Sequence, residues 1–363
     1  MVSGSEQNRT IRVVVGEDSP FMQRMIVDAL NSDPAIKVVG AGSDGREVLK
    51  RVADLRPDCV TLDLEMPSMD GFETLRYIMS EWPTPVVIVS IHTAEGAMLT
   101  LKCLEYGAVD FISKTQDGRC FPARELIEKV KAAAAINPAK IKFSPPECFW
   151  TGEPSSAHPS KLEYVVLMGA STGGPQALME IMPKLPPDLP AGIVIVQHMP
   201  PNFTRYFAER LDGRSGLIVK EADEGNLIIP GKVLVAPGGM HLFLAEYGGK
   251  PAVMLLARNE LQRSSCPCVD FAMTSFAPIL QERLIGVVLT GMGSDGTAGS
   301  DAIRRFGGSI ICQDEETSLV FGMPGAVIAQ GLANEVLPLG AIADRVVEKI
   351  YEIKAGEPVC EYS

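Results

Sequence analysis

Short apolar runs alternate with segments of helical periodicity along most of the chain. In the first 135 residues, five apolar runs, from "IRVVV" to "VDFIS", alternate with five segments whose apolar positions recur every three or four residues. Short apolar runs predict buried strands, and strands that alternate with amphipathic helices predict a parallel sheet with helices on both faces. We therefore predict a doubly wound α/β domain with a five-stranded parallel sheet over residues 1–135.

The alternation stops at residues 136–161 and then resumes. The interruption, "NPAKIKFSPPECFWTGEPSSAHPSK", is rich in proline, serine and lysine, a composition that indicates a linker. Residues 162–355 again alternate strand and helix patterns and predict a Rossmann-like, three-layer α/β/α domain. Between Lys232 and Ala257 the apolar runs are separated only by turn residues, so we predict an antiparallel hairpin that interrupts an otherwise parallel sheet.

Composition and charge narrow the class of protein. Of the 363 residues, 46% are hydrophobic and 21% are charged, as in globular proteins. The formal net charge of -12 argues against a nucleic-acid partner, because binding phosphates requires a basic face. The sequence contains no apolar run of membrane-spanning length and no signal peptide core, so we expect a cytoplasmic protein that is not embedded in a membrane.

An acidic cluster is predicted at one edge of the first sheet. Glu17 and Asp18 follow the first predicted strand, Asp63 ends the third, Ser90 ends the fourth and Lys114 follows the fifth. Since the carboxyl ends of parallel strands meet at one edge, we expect these side chains to converge. Three carboxylates favour a hard divalent cation such as Mg²⁺, while a lysine and a hydroxyl suit the oxygens of a phosphoryl group on the central aspartate.

Four motifs in this half, "GEDSPFMQRM", "LDLEMPSMDGFETL", "VVIVSIHTAEGAM" and "GAVDFISK", resemble a response-regulator receiver domain over its whole length. The resemblance implies a flavodoxin-like fold that is phosphorylated on an aspartate. The functional residues that it implies are the phosphoryl acceptor Asp63, the Mg²⁺ ligands Glu17, Asp18 and Asp63, the phosphate contacts Ser90 and Lys114, and the aromatic switch residue Phe111.

The second half opens with a strand, a small-residue turn and a helix in "VVLMGASTGGPQAL". Gly169 and Gly174 have the spacing of a phosphate-binding P-loop, but Pro175 stands where that motif needs lysine. Gly169, Ser171 and Gly173 fit the G-x-S-x-G turn, which exposes a nucleophilic serine at the end of a strand. The alternatives at this point are a catalytic serine and an ordinary strand-to-helix turn.

A catalytic serine needs a histidine base and a carboxylate. Of the four histidines, His198 ends the strand after the Ser171 segment and is expected at the same sheet edge. His241 opens a later strand and is expected at the opposite edge or in a loop. Asp295 lies in the glycine-rich stretch "LTGMGSDGTAG", which supplies a candidate carboxylate.

The same stretch supports a rival interpretation. Gly291, Gly293 and Gly296 follow a predicted strand with G-x-G-x-x-G spacing, and Asp314 comes about 20 residues later, as in dinucleotide-binding folds. By spacing alone, this loop could carry the catalytic aspartate or bind NAD.

The motifs "GASTGG", "QHMPPNFT", "DEGNLIIPGKVLVAPGGMHL" and "LTGMGSDGTAG" resemble the catalytic domain of the chemotaxis protein-glutamate methylesterases, the CheB family, over most of residues 162–352. The resemblance implies a phosphorylation-activated serine esterase that removes methyl groups from glutamate esters on chemoreceptor cytoplasmic helices, releases methanol, deamidates receptor glutamines and receives phosphoryl groups from the chemotaxis histidine kinase. It implies no cofactor in this domain. The site residues that it implies are the triad Ser171, His198 and Asp295 and the oxyanion-side residues Thr172 and Met292.

Two non-hydrolytic alternatives stay open, a receiver-controlled dinucleotide-sensing protein and a docking protein.

For the esterase, we expect the linker to let the unphosphorylated receiver domain block the serine site and phosphorylation of Asp63 to relieve the block.

Overall fold

The computed structural model describes residues 9–90, 93–114, 120–141, 162–247, 250–260 and 265–356. The chain forms two compact units, Met1–Glu147 and Cys148–Ser363, and each is considered by itself. Among the described residues, no helix is both long enough and apolar enough to cross a membrane.

The first unit is a parallel five-stranded sheet in the order β2-β1-β3-β4-β5, with helices between successive strands. The strands Cys59–Asp63 and Val86–Ser90 are fully buried, and the helix Pro20–Asn31 buries Met22, Ile26 and Leu30 at the four-residue spacing of one helix face. Its elements are β1 (Ile11–Gly16), α1 (Pro20–Asn31), β2 (Ile36–Gly42), α2 (Gly45–Leu55), β3 (Cys59–Asp63), α3 (Gly71–Glu81), β4 (Val86–Ser90), α4 (Ala94–Glu105), β5 (Asp110–Ser113) and α5 (Ala123–Ala134).

Side-chain caps begin four of these helices. Ser19, Asp44, Asp70 and Thr93 each accept a hydrogen bond from a backbone N–H in the first turn of the following helix. Such caps satisfy amide groups that have no partner inside the helix. They end the loops at the carboxyl edge of the sheet and so help to define where the acidic cluster lies.

The second unit contains a parallel seven-stranded sheet in the order β14-β13-β12-β6-β7-β9-β8. Its first strand in sequence, β6, lies at the centre of the sheet between β12 and β7. The elements are β6 (Tyr164–Ala170), α6 (Gly174–Ile181), β7 (Ala191–Gln197), α7 (Phe203–Asp212), β8 (Ile218–Glu221), β9 (Lys232–Val235), β10 (Met240–Tyr247), β11 (Lys250–Ala257), α8 (Val269–Leu280), β12 (Leu284–Val288), α9 (Thr297–Arg305), β13 (Ser309–Gln313), α10 (Met323–Ala329), β14 (Glu335–Leu337) and α11 (Leu339–Gly356).

The predicted fold class is confirmed, with one difference in the hairpin. Strands β10 and β11 pair antiparallel, but they form a two-stranded sheet of their own and do not interrupt the main sheet. Leu242, Leu244 and Val253 of this hairpin join Phe276 of α8 in one hydrophobic cluster. The hairpin therefore covers α8 instead of extending the sheet.

The predicted domain boundaries stay predictions. Helix α5 ends at Ala134 and β6 begins at Tyr164, on either side of the predicted linker 136–161. Residues 142–161 lie outside the described residues, so the structure does not define where the linker begins or ends.

Candidate active site and phosphorylation site

A tight turn places Ser171 at the carboxyl edge of the second sheet. The Ser171 N–H donates to the carbonyl of Thr290 (3.1 Å), and the Ser171 carbonyl accepts from Gly174 N–H (2.8 Å). Gly173 has a φ of +78°, and a Cβ there would lie 2.8 Å from Cβ of Leu319. Glycine is therefore required where the chain turns from β6 into α6, and Ser171 remains only half-buried.

His198 follows the strand that neighbours the Ser171 strand. The parallel register pairs Ala170 with Gln197, so Ser171 and His198 are the first residues after the ends of the two paired strands. The amide side chain of Gln197 donates to the carbonyls of both Ser171 (2.9 Å) and His198 (3.1 Å). Gln197 thus joins the backbones of the candidate nucleophile and the candidate base.

Asp295 orients the histidine. His198 Nε2 lies 2.7 Å from Asp295 Oδ2, and both side chains are largely buried. The same carboxylate accepts hydrogen bonds from the backbone N–H groups of Val269 (2.8 Å) and Asp270 (2.8 Å) and from the Cys268 thiol (3.3 Å). Burial alone would raise the pKa of Asp295, but His198 and these amides outweigh it and lower the pKa to about 2.

The carboxylate uses Nε2 of the imidazole, so Nδ1 is the ring nitrogen that can accept a proton from serine. Within the described residues, no hydrogen bond joins Ser171 Oγ to His198. Contacts of this kind commonly close only when substrate binds. The chain therefore holds an oriented candidate base near the half-buried candidate nucleophile Ser171.

The two predicted oxyanion-side residues lie in segments next to the serine. Thr172 follows it directly, is buried, and accepts a hydrogen bond from Thr290 Oγ1 at its carbonyl (3.0 Å). Met292 follows Gly291, where a Cβ would lie 2.8 Å from Ser171 Cβ, so the Met292 loop packs against the serine. Thr172 and Gly291, the residue before Met292, therefore lie beside Ser171, and the oxyanion role of Thr172 and Met292 stays a prediction.

His241, the alternative base, does not contact the carboxylate. It is the second residue of β10, is fully buried, and its ring packs edge-to-face against Phe271 at 5.6 Å between centroids. These contacts fit a structural residue.

Two of the three glycine amides in the loop that suggested NAD binding already donate hydrogen bonds within the protein. The N–H of Gly296 donates to carboxylate oxygens of Asp270 (2.9 Å) and Asp295 (3.1 Å). The N–H of Gly291 donates to the carbonyl of Val320 (3.0 Å). A pyrophosphate cradle needs such groups directed at the ligand, so this geometry disfavours the dinucleotide interpretation.

The acidic cluster in the first unit forms as expected. Ligand oxygens of Glu17, Asp18 and Asp63 lie within 4.8 Å of one another. Lys114 Nζ lies 2.7 Å from Asp63 Oδ2 and 2.9 Å from Glu17 Oε2. Burial, reinforced by the charge of Asp63, raises the pKa of Glu17 to about 7. Carboxylate oxygens in excess of nearby positive charge are a donor set that fits a hard cation.

The other predicted residues of this site lie on β4 and β5, with Ser90 at the carboxyl end of β4 and Phe111 inside β5. Ser90 is buried at the end of β4, and its hydroxyl donates to the carbonyl of Gly96 (3.3 Å). Phe111 is buried in β5, and Lys129 Nζ lies 5.4 Å from its ring centroid and donates to its carbonyl (2.7 Å). Lys129 therefore holds the backbone of the predicted switch residue.

Three residues around the candidate active site were not predicted from the sequence. Gln197 immediately precedes His198, and Cys268 and Asp270 begin α8 and contact Asp295 or its loop. An acidic residue in the first turn of a predicted helix was the available signal for Asp270. Its pairing with a loop 25 residues further along the chain has no local sequence signal.

Comparisons with known proteins identify the families to which the two halves of the chain are similar. Residues 166–346 match the CheB methylesterase family, and residues 13–130 match the response regulator receiver domain family. The chain is 44% identical over 353 residues, 96% of each chain, to the protein-glutamate methylesterase/protein-glutamine glutaminase of Pyrococcus abyssi. It is 45% identical over 359 residues to the protein of the same name from Symbiobacterium thermophilum, across 95% and 98% of the two chains. It is also similar to the crystal structure of the Thermotoga maritima CheB methylesterase catalytic domain, with 45% identity, a TM-score of 0.49, and coverage of 51% of this chain and 97% of that one.

Proposed function

The chain belongs to the CheB methylesterase family and carries a response regulator receiver domain, and from this premise we propose that it is a phosphorylation-activated serine esterase. Its substrates are glutamate methyl esters on the cytoplasmic helices of chemoreceptors, and its site of action is the cytoplasm. The observation that carries the proposal is the 2.7 Å contact between His198 and Asp295 beside the carboxyl end of β6, where Ser171 lies.

The proposed reaction uses Nδ1 of His198 as the base, because Nε2 faces Asp295. His198 Nδ1 takes the proton of the Ser171 hydroxyl while Oγ attacks the ester carbonyl, and Asp295 stabilises the imidazolium. Backbone N–H groups of Thr172 and Met292 stabilise the negative oxygen of the tetrahedral intermediate. The imidazolium returns its proton to the departing methoxide, so methanol leaves and an acyl-serine remains.

Water completes the cycle. His198 takes a proton from water as the hydroxide adds to the acyl carbonyl, and the proton then returns to Ser171 Oγ as that bond breaks. The products are a glutamate side chain and free enzyme. A glutamine side chain enters the same cycle with ammonia as the leaving group, which accounts for a glutaminase activity on the same triad.

The receiver domain supplies the control. Asp63 accepts a phosphoryl group from a histidine kinase, and Glu17, Asp18 and Asp63 would hold Mg²⁺, whose charge neutralises phosphoryl oxygens when it is bound. Lys114 already lies 2.7 Å from Asp63 and contacts the added phosphate. Ser90, at the end of β4, and Phe111, in β5, change position in response to the added charge.

The substrate proposal is tested by mass spectrometry of methylated receptors incubated with the whole chain. A glutamate methyl ester that is hydrolysed loses about 14 Da, because OH replaces O–CH₃. A glutamine that is deamidated gains about 1 Da, because OH replaces NH₂. Receptor peptides that keep both masses while the chain is folded and phosphorylated would contradict the proposal.

The control proposal is tested with acetyl phosphate as donor. We expect Asp63→Ala to keep the basal rate and to lose the stimulation by acetyl phosphate, with Asp58→Ala, a receiver aspartate outside the acidic cluster, as control. The expected block by the unphosphorylated receiver domain predicts that residues 160–363 alone are faster than the unphosphorylated whole chain. Equal rates would exclude that block.

A further inference from the structure

Two carboxylates in the second unit each accept hydrogen bonds from the N-terminus of the helix that belongs to the other. The first amides of α8, Val269 N–H and Asp270 N–H, donate to the carboxylate of Asp295, which precedes α9 (both 2.8 Å). In return, Asp270 Oδ1 accepts from the N–H groups of Gly296 (2.9 Å) and Gly299 (2.7 Å) at the start of α9. Each carboxylate thus caps the helix of the other.

This arrangement ties Asp270 to the position of Asp295. Gly296 is the next residue after Asp295, so a bond from its N–H to Asp270 fixes the peptide that bears the catalytic carboxylate. Gly296 has a φ of +100° and Gly293 a φ of +84°. A loop with two such glycines has little conformational preference of its own, so its position depends on external contacts such as those from Asp270.

We propose that Asp270 is a positioning residue for the esterase reaction, because its carboxylate holds the Gly296 end of the loop at the place where Asp295 meets His198. This inference rests on the proposed function, since it assigns Asp295 a role in catalysis. Asp270 itself contacts neither substrate nor the reacting atoms.

Substitutions of Asp270 can separate loss of the hydrogen-bond acceptor from loss of the negative charge. Both amide hydrogens reach the same oxygen, Oδ1. Asp270→Asn keeps one carbonyl oxygen that can accept both, whereas Asp270→Ala removes the acceptor. Burial and the neighbouring Asp295 raise the pKa of Asp270, so a neutral asparagine is compatible with the surroundings. The asparagine variant is therefore the conservative replacement.

The test measures kcat and KM for methanol release from methylated receptor membranes with the whole chain. We expect Asp270→Ala to lower kcat by about 10- to 100-fold, since an angstrom of misplacement in a catalytic group costs about 10²-fold. KM should stay within about twofold, because Asp270 does not bind substrate. Asp270→Asn should keep kcat within about threefold of the parent. Asp301→Ala, which removes an ion pair with Arg305 on the surface of α9, is the matched control and should leave kcat unchanged.

A double-mutant cycle separates positioning from a merely structural role. If Asp270 acts through Asp295, Asp270→Ala should cost less than about twofold in an Asp295→Ala background. A full 10- to 100-fold loss in that background would overturn the inference. So would an Asp270→Asn variant as slow as Asp270→Ala. If Asp270→Ala does not fold, Asp270→Glu, which moves the acceptor by one methylene, should still lower kcat with KM unchanged, and a normal kcat would overturn the inference.

Ser171→Ala identifies which claim fails. A Ser171→Ala variant without activity, together with fully active Asp270→Ala, would overturn the positioning role and leave the esterase proposal standing. An active, folded Ser171→Ala variant would instead overturn the esterase proposal.

Discussion

Replacing Asp295 by asparagine places a hydrogen-bond donor opposite His198, where the carboxylate of the proposed triad has an acceptor. Asp295 Oδ1 accepts from Cys268, Asp270 N–H and Gly296 N–H, and Oδ2 accepts from Val269 N–H and contacts His198 Nε2. An asparagine has one acceptor oxygen, which is best placed at Oδ1, where three donors converge. Its NH₂ group then faces His198.

That orientation changes the tautomer of His198. Opposite an NH₂ donor, Nε2 must be the acceptor, so the proton moves to Nδ1 and that nitrogen cannot take a proton from Ser171. Loss of this step in a serine triad costs on the order of 10³- to 10⁴-fold in kcat, and 10³-fold corresponds to about 4 kcal/mol of barrier. We expect a loss of about 10³-fold in kcat for Asp295→Asn, smaller than that for Ser171→Ala.

The same substitution should lower stability. The fall in the pKa of Asp295 from 3.8 to about 2 corresponds to about 2 kcal/mol of folding free energy at neutral pH. Because the folded pKa is lowered, this contribution is present above pH 4 and is lost as the pH falls towards 2. Urea unfolding should therefore show a deficit of about 2 kcal/mol for Asp295→Asn at pH 7 and a smaller one near pH 3.

The assay measures both the rate of methanol release and the tautomer of His198. Methanol release gives kcat, and ¹⁵N NMR of histidine-labelled chain gives the protonated ring nitrogen, with His198→Gln used to assign the signal. Asp301→Asn, in a half-exposed surface ion pair, is the matched amide control. A folded Asp295→Asn variant with more than about a tenth of the parent kcat, or with Nε2 of His198 still protonated, would refute this reasoning.

Three further predictions concern the triad, the glycine-rich loop and two cysteines. Ser171→Ala and His198→Ala should each lower methanol release at least a thousandfold without loss of folding, as circular dichroism can verify. Calorimetry with millimolar NAD should show no binding, and saturable binding that is abolished by Gly293→Val would favour the dinucleotide interpretation. Iodoacetamide at pH 8 should modify the exposed Cys120 rapidly and spare Cys268, since burial and Asp295 raise the pKa of Cys268 to about 12; equal labelling of both would contradict this.

Much of the architecture is predictable because it depends on local patterns. Buried strands such as β6 and β7 are continuous apolar runs, and parallel register brings their ends together, so His198 could be assigned to the edge that holds Ser171. The acidic cluster around Asp63 follows from the same rule.

The rest depends on contacts between distant segments. The pattern of β10 and β11 indicates a hairpin but not whether its partner is the main sheet or α8, since either surface buries the same apolar face. The seven-residue α10 and three-residue β14 are too short for a periodic signal. Asp270 meets Gly299 only because α8 packs closely against α9, with Met273 against Gly299, and nothing within either helix encodes that contact.

The most direct test of the central claim is methanol release from methylated receptor membranes by the whole chain and by its Ser171→Ala variant. With acetyl phosphate and Mg²⁺ present, the parent chain should release methanol in proportion to the ester content of the receptors, and Ser171→Ala should release none above the rate of buffer alone. No methanol from the folded, phosphorylated parent chain, or equal release by both proteins, would contradict the proposed serine esterase.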